Sequence, residues 1–177
     1  MSNLSKLSVL LLIVLASCEA SQKSYFTSTT RAKLENNNIP MQKVQFYIDR
    51  DVELRRELQS ADAKVTSGKI KFENGKYLNI IVLKKNTLGV CTQSNTGSLS
   101  ISFEPGDNKT LNFAAGGTNI YGISPSKWIG RSAKVMYDGE SYMIQSDGAQ
   151  AMLLVNKSVT EKYEVKKRTM KGRKIDG

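Results

Sequence analysis

Apolar and polar residues alternate along most of this chain with a period of two. In KVQFYIDRDVELRREL, residues 43–58, six apolar residues share one parity: Val44, Phe46, Ile48, Val52, Leu54 and Leu58. Because successive side chains of a strand point to opposite faces, this spacing predicts a long or bent strand with one buried face. A short helix from Asp51, with Leu54 and Leu58 four residues apart, is the alternative for the second half.

Turn sequences divide the alternating stretches. Asn74-Gly75 and Asp138-Gly139 each stand between two apolar runs. A type I′ hairpin turn needs positive φ at both central positions, which these residue types tolerate, so both pairs predict hairpins. Asp147-Gly148 predicts a third such turn, and VTEKYEV, residues 159–165, predicts the last strand.

The pattern indicates about eight to ten short strands and little helix. Residues 115–132, with four glycines and one proline, are predicted to be a loop. Closely spaced strands close into a barrel or pack as two sheets. The predicted fold is therefore mostly β: a single small β-sandwich or β-barrel domain over residues 41–167.

The first residues have the pattern of an export signal. MSNLSK carries one positive charge, and LSVLLLIVLA, residues 7–16, is almost wholly apolar. Ten helical residues rise about 15 Å, half of a bilayer core of about 30 Å. A charged start, a short apolar centre and small residues at its end predict a cleaved signal peptide over residues 1–17.

The end of this segment, Leu15-Ala16-Ser17-Cys18, resembles the lipobox of bacterial lipoproteins. The resemblance implies that Cys18 receives a diacylglycerol group and further acyl chains such as palmitate, and that the mature chain begins there, anchored to a membrane of the cell envelope. Glu19 follows the cysteine, where an Asp would retain the protein at the inner membrane, so the resemblance favours the outer membrane. The alternatives are an ordinary signal peptide with a chance cysteine, or a buried apolar strand.

Residues 18–40 are rich in Ser, Thr, Asn and Gln and show no apolar period. They predict a lipidated N-terminus followed by a flexible tether, which at this length spans about 25 Å. Residues 168–177 form a basic C-terminal tail behind the β domain.

Charge and residue types restrict the function. The net charge of the 177-residue chain is +10. An exported, lipid-anchored chain is not expected to meet nucleic acid, so we expect an anionic surface or an acidic envelope protein as partner. The chain has no histidine, and Cys91 is the only thiol besides Cys18. Histidine-based catalytic triads and metal sites are thus excluded, and we predict no enzyme, no cofactor and no metal.

Two segments are candidates for partner binding. The end of the β domain and the basic tail together contribute Lys166, Lys167, Arg168, Lys171, Arg173 and Lys174. The glycine-rich segment 116–130 contributes Tyr121 and Trp128, which in an exposed loop would anchor a partner or stack on a sugar. The alternatives are a solvated tail that aids solubility, and Trp128 with Ile129 plugging one end of a barrel.

Arg50 and Arg56 share parity with the apolar face of residues 43–58. They would then point inward at a rim and pair with acids. A strand that simply ends at Arg50 is the simpler interpretation.

The sequence therefore predicts a membrane-anchored envelope lipoprotein that acts as a binding or docking module. In size, lipobox and β content it is similar to the small basic β-sandwich lipoproteins of trans-envelope secretion machines, such as type VI systems. That resemblance implies a subunit of a secretion system. A carbohydrate- or peptidoglycan-binding lipoprotein that uses Trp128 is the alternative, and a hydrolase is a third.

Overall fold

The computed structural model describes residues 22–58 and 69–162. Its first half contains β1 (Lys23–Tyr25), α1 (Ser28–Asn36), a 3-10 turn (Met41–Lys43), β2 (Gln45–Ile48), β3 (Val52–Leu58), β4 (Lys69–Glu73), β5 (Lys76–Leu83) and β6 (Leu88–Asn95). Its second half contains β7 (Ser98–Ser102), β8 (Thr110–Ala115), β9 (Tyr121–Ile123), β10 (Lys127–Ile129), β11 (Ser132–Tyr137), β12 (Glu140–Ile144), α2 (Ser146–Ala149), β13 (Leu153–Asn156) and α3 (Lys157–Glu161).

The strands form two antiparallel sheets, which confirms a mostly β fold of the sandwich type. One sheet has the order β1-β13-β2-β6-β7-β8-β9, and the other has the order β10-β11-β12-β3-β5-β4. The seven-stranded sheet curls until its ends meet. Tyr121 N donates to Phe26 O at 3.0 Å, and Ile123 N donates to Ala151 O at 3.0 Å. Backbone groups at this edge are therefore satisfied within the domain.

The stretch 43–58 forms two strands in different sheets. The chain bends at Asp49–Asp51, where Asp49 accepts from Met152 N at 2.8 Å and Asp51 accepts from Lys85 N at 2.7 Å. The predicted alternation with one buried face is confirmed on both sides of the bend, since Phe46, Ile48 and Leu54 are all buried. The alternative of a helix from Asp51 is wrong because β3 pairs with β5 along its whole length.

Residues 22–40 belong to the domain, so the predicted flexible tether is wrong for them. β1 pairs with β13, and the Phe26 side chain is completely buried, 5.1 Å from the Phe46 ring. Thr27 accepts a hydrogen bond from Thr30 N and caps α1, whose Leu34 is also buried. Two large apolar side chains anchor a segment that is otherwise polar, and the domain begins by residue 22 rather than residue 41.

The two hairpin turns are confirmed. Asn74 and Gly75 have φ of 51° and 78°, and Asp138 and Gly139 have φ of 52° and 76°. Asp147-Gly148 is not a hairpin turn, because it lies in α2. A Cβ on Gly148 would stand 3.1 Å from the Ile144 side chain, so glycine permits close packing there.

The last strand of the described residues is β13, and the predicted strand over 159–165 is wrong for 159–162. Residues 159–161 lie in α3, which ends at Glu161, and Lys162 caps the helix. Residues 163–165 lie outside the described part. The predicted loop over 115–132 is also too long, since it contains β9, β10 and the start of β11. β9 and β10 have three residues each, and β11 only begins at the last residue of the predicted loop. Strands of three residues are too short to produce an alternating pattern.

Candidate functional site

The sequence candidates have different outcomes. Cys18 and the six basic candidates from Lys166 to Lys174 lie outside the described residues. Tyr121 is 1% exposed, its ring lies 5.0 Å from that of Phe26, and its hydroxyl accepts a hydrogen bond from Arg31 Nη1 at 3.0 Å. The prediction that Tyr121 contacts a partner is therefore wrong. Because β9 pairs with β8, it turns this side chain into the core.

Trp128 remains available to a ligand. It is 50% exposed on β10, an edge strand of the six-stranded sheet, and the neighbouring Ile129 is 51% exposed. The alternative in which both plug the end of a barrel is therefore wrong.

Cys91 is a small core residue. It is 4% exposed, its thiol donates to Gln93 O at 3.3 Å, and burial raises the pKa of the thiol. Low exposure and a raised pKa both oppose a nucleophilic role for Cys91. Within residues 22–58 and 69–162, no three His, Cys, Asp or Glu side chains are grouped to hold a metal ion.

Arg31, which sequence reasoning missed, links α1 to the seven-stranded sheet. Its guanidinium donates to Glu35 at 2.7 Å, Asn95 O at 2.7 Å and Ser94 Oγ at 3.2 Å, besides Tyr121. With its side chain only 11% exposed, the group is occupied within the fold. Its role is structural, and no signal in a polar segment could have identified it.

The strongest candidate site is a groove on the inner face of the six-stranded sheet. Leu83, Ile81, Asn79 and Tyr77 stand on the same face of β5, with about 7 Å between neighbours. Cross-strand partners continue this face onto β3 and β4. We call this surface the β5 groove, and it has an apolar end, a polar centre and an aromatic end.

The apolar end is a cleft of about 160 Å³ between the two sheets. Leu54, Ile81, Phe103 and Leu111 contribute to its lining. A volume of this size accepts an apolar side chain or a small ring. Because these four lining side chains are apolar, the cleft favours apolar groups of a ligand.

Glu104 and Tyr137 form the polar rim of this cleft. Tyr137 donates its hydroxyl proton to Glu104 Oε1 at 2.7 Å, and Lys109 Nζ lies 3.1 Å from the same oxygen. Burial raises the pKa of Glu104, but the hydrogen bonds from Tyr137 and Lys109 outweigh it and leave the pKa below its usual value. Burial, together with the Glu104 carboxylate, raises the pKa of Tyr137. The rim therefore presents a carboxylate already occupied by two donors.

The centre of the groove has a polar wall. Asn79 is 1% exposed, and its Nδ2 donates to the Tyr142 hydroxyl at 3.1 Å. Arg56 lies over the Tyr142 ring and pairs with Glu140 at 2.9 Å. Asn79 Oδ1 and Arg56 Nε are buried without a hydrogen-bond partner. Both atoms are shielded from solvent, so they lie beneath the surface of the groove and are not contacts for a ligand. The centre of the groove is therefore a buried polar layer between its two apolar ends.

Arg56 confirms the interpretation that it points inward at a rim and pairs with an acid. Arg50 pairs with the neighbouring Asp49 at 2.9 Å, at the bend between β2 and β3. The simpler interpretation placed the end of the strand at Arg50. β2 ends at Ile48, two residues earlier.

The aromatic end is the hairpin β4–β5. Phe72 and Tyr77 are cross-strand partners with ring centroids 4.9 Å apart, yet they are 63% and 41% exposed, and Ile70 beside them is 44% exposed. The opposite face of the hairpin carries charges, with Lys76 paired to Glu57 at 2.8 Å. The hairpin is amphipathic, and its apolar face prolongs the groove.

Comparisons with known proteins give no relative for this arrangement. No protein-family model matches the chain, and neither the curated proteins nor the solved structures contain a match. Among the described residues, no helix is sufficiently long and apolar to cross a membrane.

Proposed function

We propose that this protein is an envelope lipoprotein anchored through Cys18, with the outer membrane favoured over the inner, and that its β domain docks a protein partner in the β5 groove. The anchor rests on the lipobox resemblance of Leu15-Ala16-Ser17-Cys18. The proposed setting, a trans-envelope assembly of the secretion type, rests on the class-level resemblance in size, charge and β content. We propose no catalytic step.

The observation that carries the docking function is the exposed aromatic pair at the end of the groove. Phe72 at 63% and Tyr77 at 41% exposure expose a large apolar area to solvent. Aromatic side chains of this kind contribute much of the binding energy at protein interfaces. The groove suits a partner segment with one apolar side chain for the cleft of about 160 Å³ and a second apolar group for the Phe72–Tyr77 pair.

A second candidate function is binding of carbohydrate or peptidoglycan at Trp128. The half-exposed indole on an edge strand favours it, since sugars stack on such rings. β10, which carries Trp128, and β4, which carries Phe72, are the two opposite edges of the six-stranded sheet. The two functions can therefore be tested separately.

The experiment is affinity capture from a membrane extract with the lipidated chain and three variants. Docking in the groove predicts that Phe72→Lys loses the captured envelope protein. Met136→Lys, which changes a 55% exposed side chain on another strand, should retain it. Capture of glycans that is lost only with Trp128→Ser would support the second function instead. Equal capture of the protein by Phe72→Lys and the parent would refute docking in the groove.

The anchor is tested by detergent partitioning of the expressed chain. Cys18→Ala should leave the detergent phase, because no other thiol lies at the predicted cleavage point. A variant that still partitions as fully as the parent would refute lipid attachment.

A further inference from the structure

The chain enters and leaves the described domain at one corner. β1 pairs with β13 so that Lys23 lies opposite Asn156. Lys157 donates twice to Gln22, through its backbone N to the carbonyl and through Nζ to Oε1, both at 2.8 Å. The short helix α3 follows directly and ends at Glu161. Five helical residues rise about 8 Å, so the sequence after Lys162 starts close to Gln22.

Cys18 stands four residues before Gln22. Four extended residues span at most about 14 Å. The tether of about 25 Å predicted from composition is therefore replaced by a much shorter connection, because β1 belongs to the sheet. A lipid on Cys18 would hold this corner against the bilayer surface.

Basic residues surround the corner. Lys23 begins β1, Lys157 follows β13, and Lys43 precedes β2, which pairs with β13. The sequence after Lys162 adds six basic residues and two acids, Glu164 and Asp176. The described part of the chain thus begins and ends at one end of the seven-stranded sheet, with Lys23, Lys43 and Lys157 beside both ends.

The outer face of that sheet supplies apolar and aromatic side chains beside these charges. The register aligns Tyr25, Leu154, Tyr47 and Leu88 across four neighbouring strands. Tyr25 is 45% exposed and Leu88 is 58% exposed. Lys23 Nζ lies 4.5 Å from the Tyr47 ring centroid, so charge and aromatic surface are adjacent. Tyrosines are favoured at membrane–water interfaces because their rings are apolar and their hydroxyls are polar.

We infer that this surface, defined by Lys23, Lys43, Lys157, Tyr25 and Leu88 and called the basal face, lies on anionic phospholipid headgroups of the bilayer that holds the lipid of Cys18. The inference rests on the proposed lipid attachment and adds an orientation to it. Lys and Arg side chains are attracted to an anionic surface over about 8 Å at physiological salt, a distance comparable to the length of the connection. A lipid combined with a basic patch binds membranes more stably than a single acyl chain does.

The test uses the chain from residue 18 onward with Cys18→Ser, so that no lipid contributes. Sedimentation with phosphatidylcholine vesicles is compared with sedimentation with vesicles that also contain phosphatidylglycerol. We expect binding to the anionic vesicles alone. It should weaken at least about tenfold as salt rises from about 10 mM to about 150 mM and the screening length falls from about 30 Å to about 8 Å. Absence of binding to the anionic vesicles at low salt would overturn the inference.

Matched variants test the orientation. Replacing Lys23, Lys43 and Lys157 by Gln should lower binding at least about fivefold, since each charge near the surface contributes. Replacing Lys69, Lys71 and Lys76 of the hairpin by Gln removes the same charge and should leave binding unchanged. Equal losses in both variants would overturn the assignment of the basal face, as would binding to an acidic protein with none to vesicles.

This result is independent of the anchor test. Vesicle binding of the Cys18→Ser chain measures contact made without the lipid, and the matched lysine variants separate the basal face from the basic residues after Lys162. Detergent partitioning of Cys18→Ala measures lipid attachment alone. Failure of either one is therefore distinguishable from failure of the other. Circular dichroism of each variant confirms that the fold is retained.

Discussion

Phe26 is the largest buried side chain of the polar N-terminal segment. The variant Phe26→Ala tests whether this segment contributes to the core of the domain. The side chain is 0% exposed and lies 5.1 Å from the Phe46 ring and 5.0 Å from the Tyr121 ring. Truncating a buried phenylalanine removes its transfer free energy and leaves a cavity, which together cost about 3–5 kcal/mol. We expect a loss near the middle of this range, because the ring packs against two aromatic partners whose positions are fixed by strands.

The assay is urea unfolding followed by circular dichroism, with Tyr25→Ala as the matched control. Tyr25 is the preceding residue but is 45% exposed, so its truncation should cost less than about 1 kcal/mol. For a chain of this length, about 4 kcal/mol corresponds to a fall of about 10 °C in Tm. If Phe26→Ala is as stable as Tyr25→Ala, the segment does not contribute to the core and the tether predicted from composition is correct.

Two further predictions concern the hairpins and the cleft rim. Gly75→Val and Gly139→Val should each lower the free energy of unfolding by at least about 1 kcal/mol, because a β-branched residue is poorly tolerated at φ of 78° and 76°. Gly116→Val, where no atom lies within 4 Å of the added Cβ and φ is not positive, is the control for thermal unfolding. The pKa of Glu104 is lowered in the fold, so its contribution to stability is complete above its unfolded pKa of about 4.3 and is lost as pH falls through the folded value. The difference in free energy of unfolding between the parent and Glu104→Gln should therefore become smaller from about pH 7 to about pH 3 in urea titrations. A difference that stays constant would contradict a lowered pKa for Glu104.

The alternation of apolar and polar residues correctly indicated the class of fold and its best-defined turns. Period-two spacing over residues 43–58 follows from one-sided burial, which every strand of a packed sheet requires. Asn74-Gly75 and Asp138-Gly139 were found because positive φ restricts the residue types that a type I′ turn accepts. Both signals are local, so they can be read without knowing the partner strands.

The sequence also proposed a lipid anchor and a basic tail, and both remain predictions because Cys18 and residues 166–174 lie outside the described part of the chain. The two aromatic candidates of the segment 116–130 could not be separated from the sequence. Tyr121 is buried and Trp128 is half exposed because β9 lies within the curled sheet whereas β10 lies at an edge.

The β5 groove and the basal face were decided by tertiary structure alone. Phe72 and Tyr77 have the parity of core residues, and only the extent of the opposing sheet determines that they stay exposed. The corner shared by Gln22 and Lys157 joins residues 135 positions apart in sequence. Long-range pairing of this kind leaves no periodic trace, because a strand's alternation records which face is buried and not which strand lies beside it.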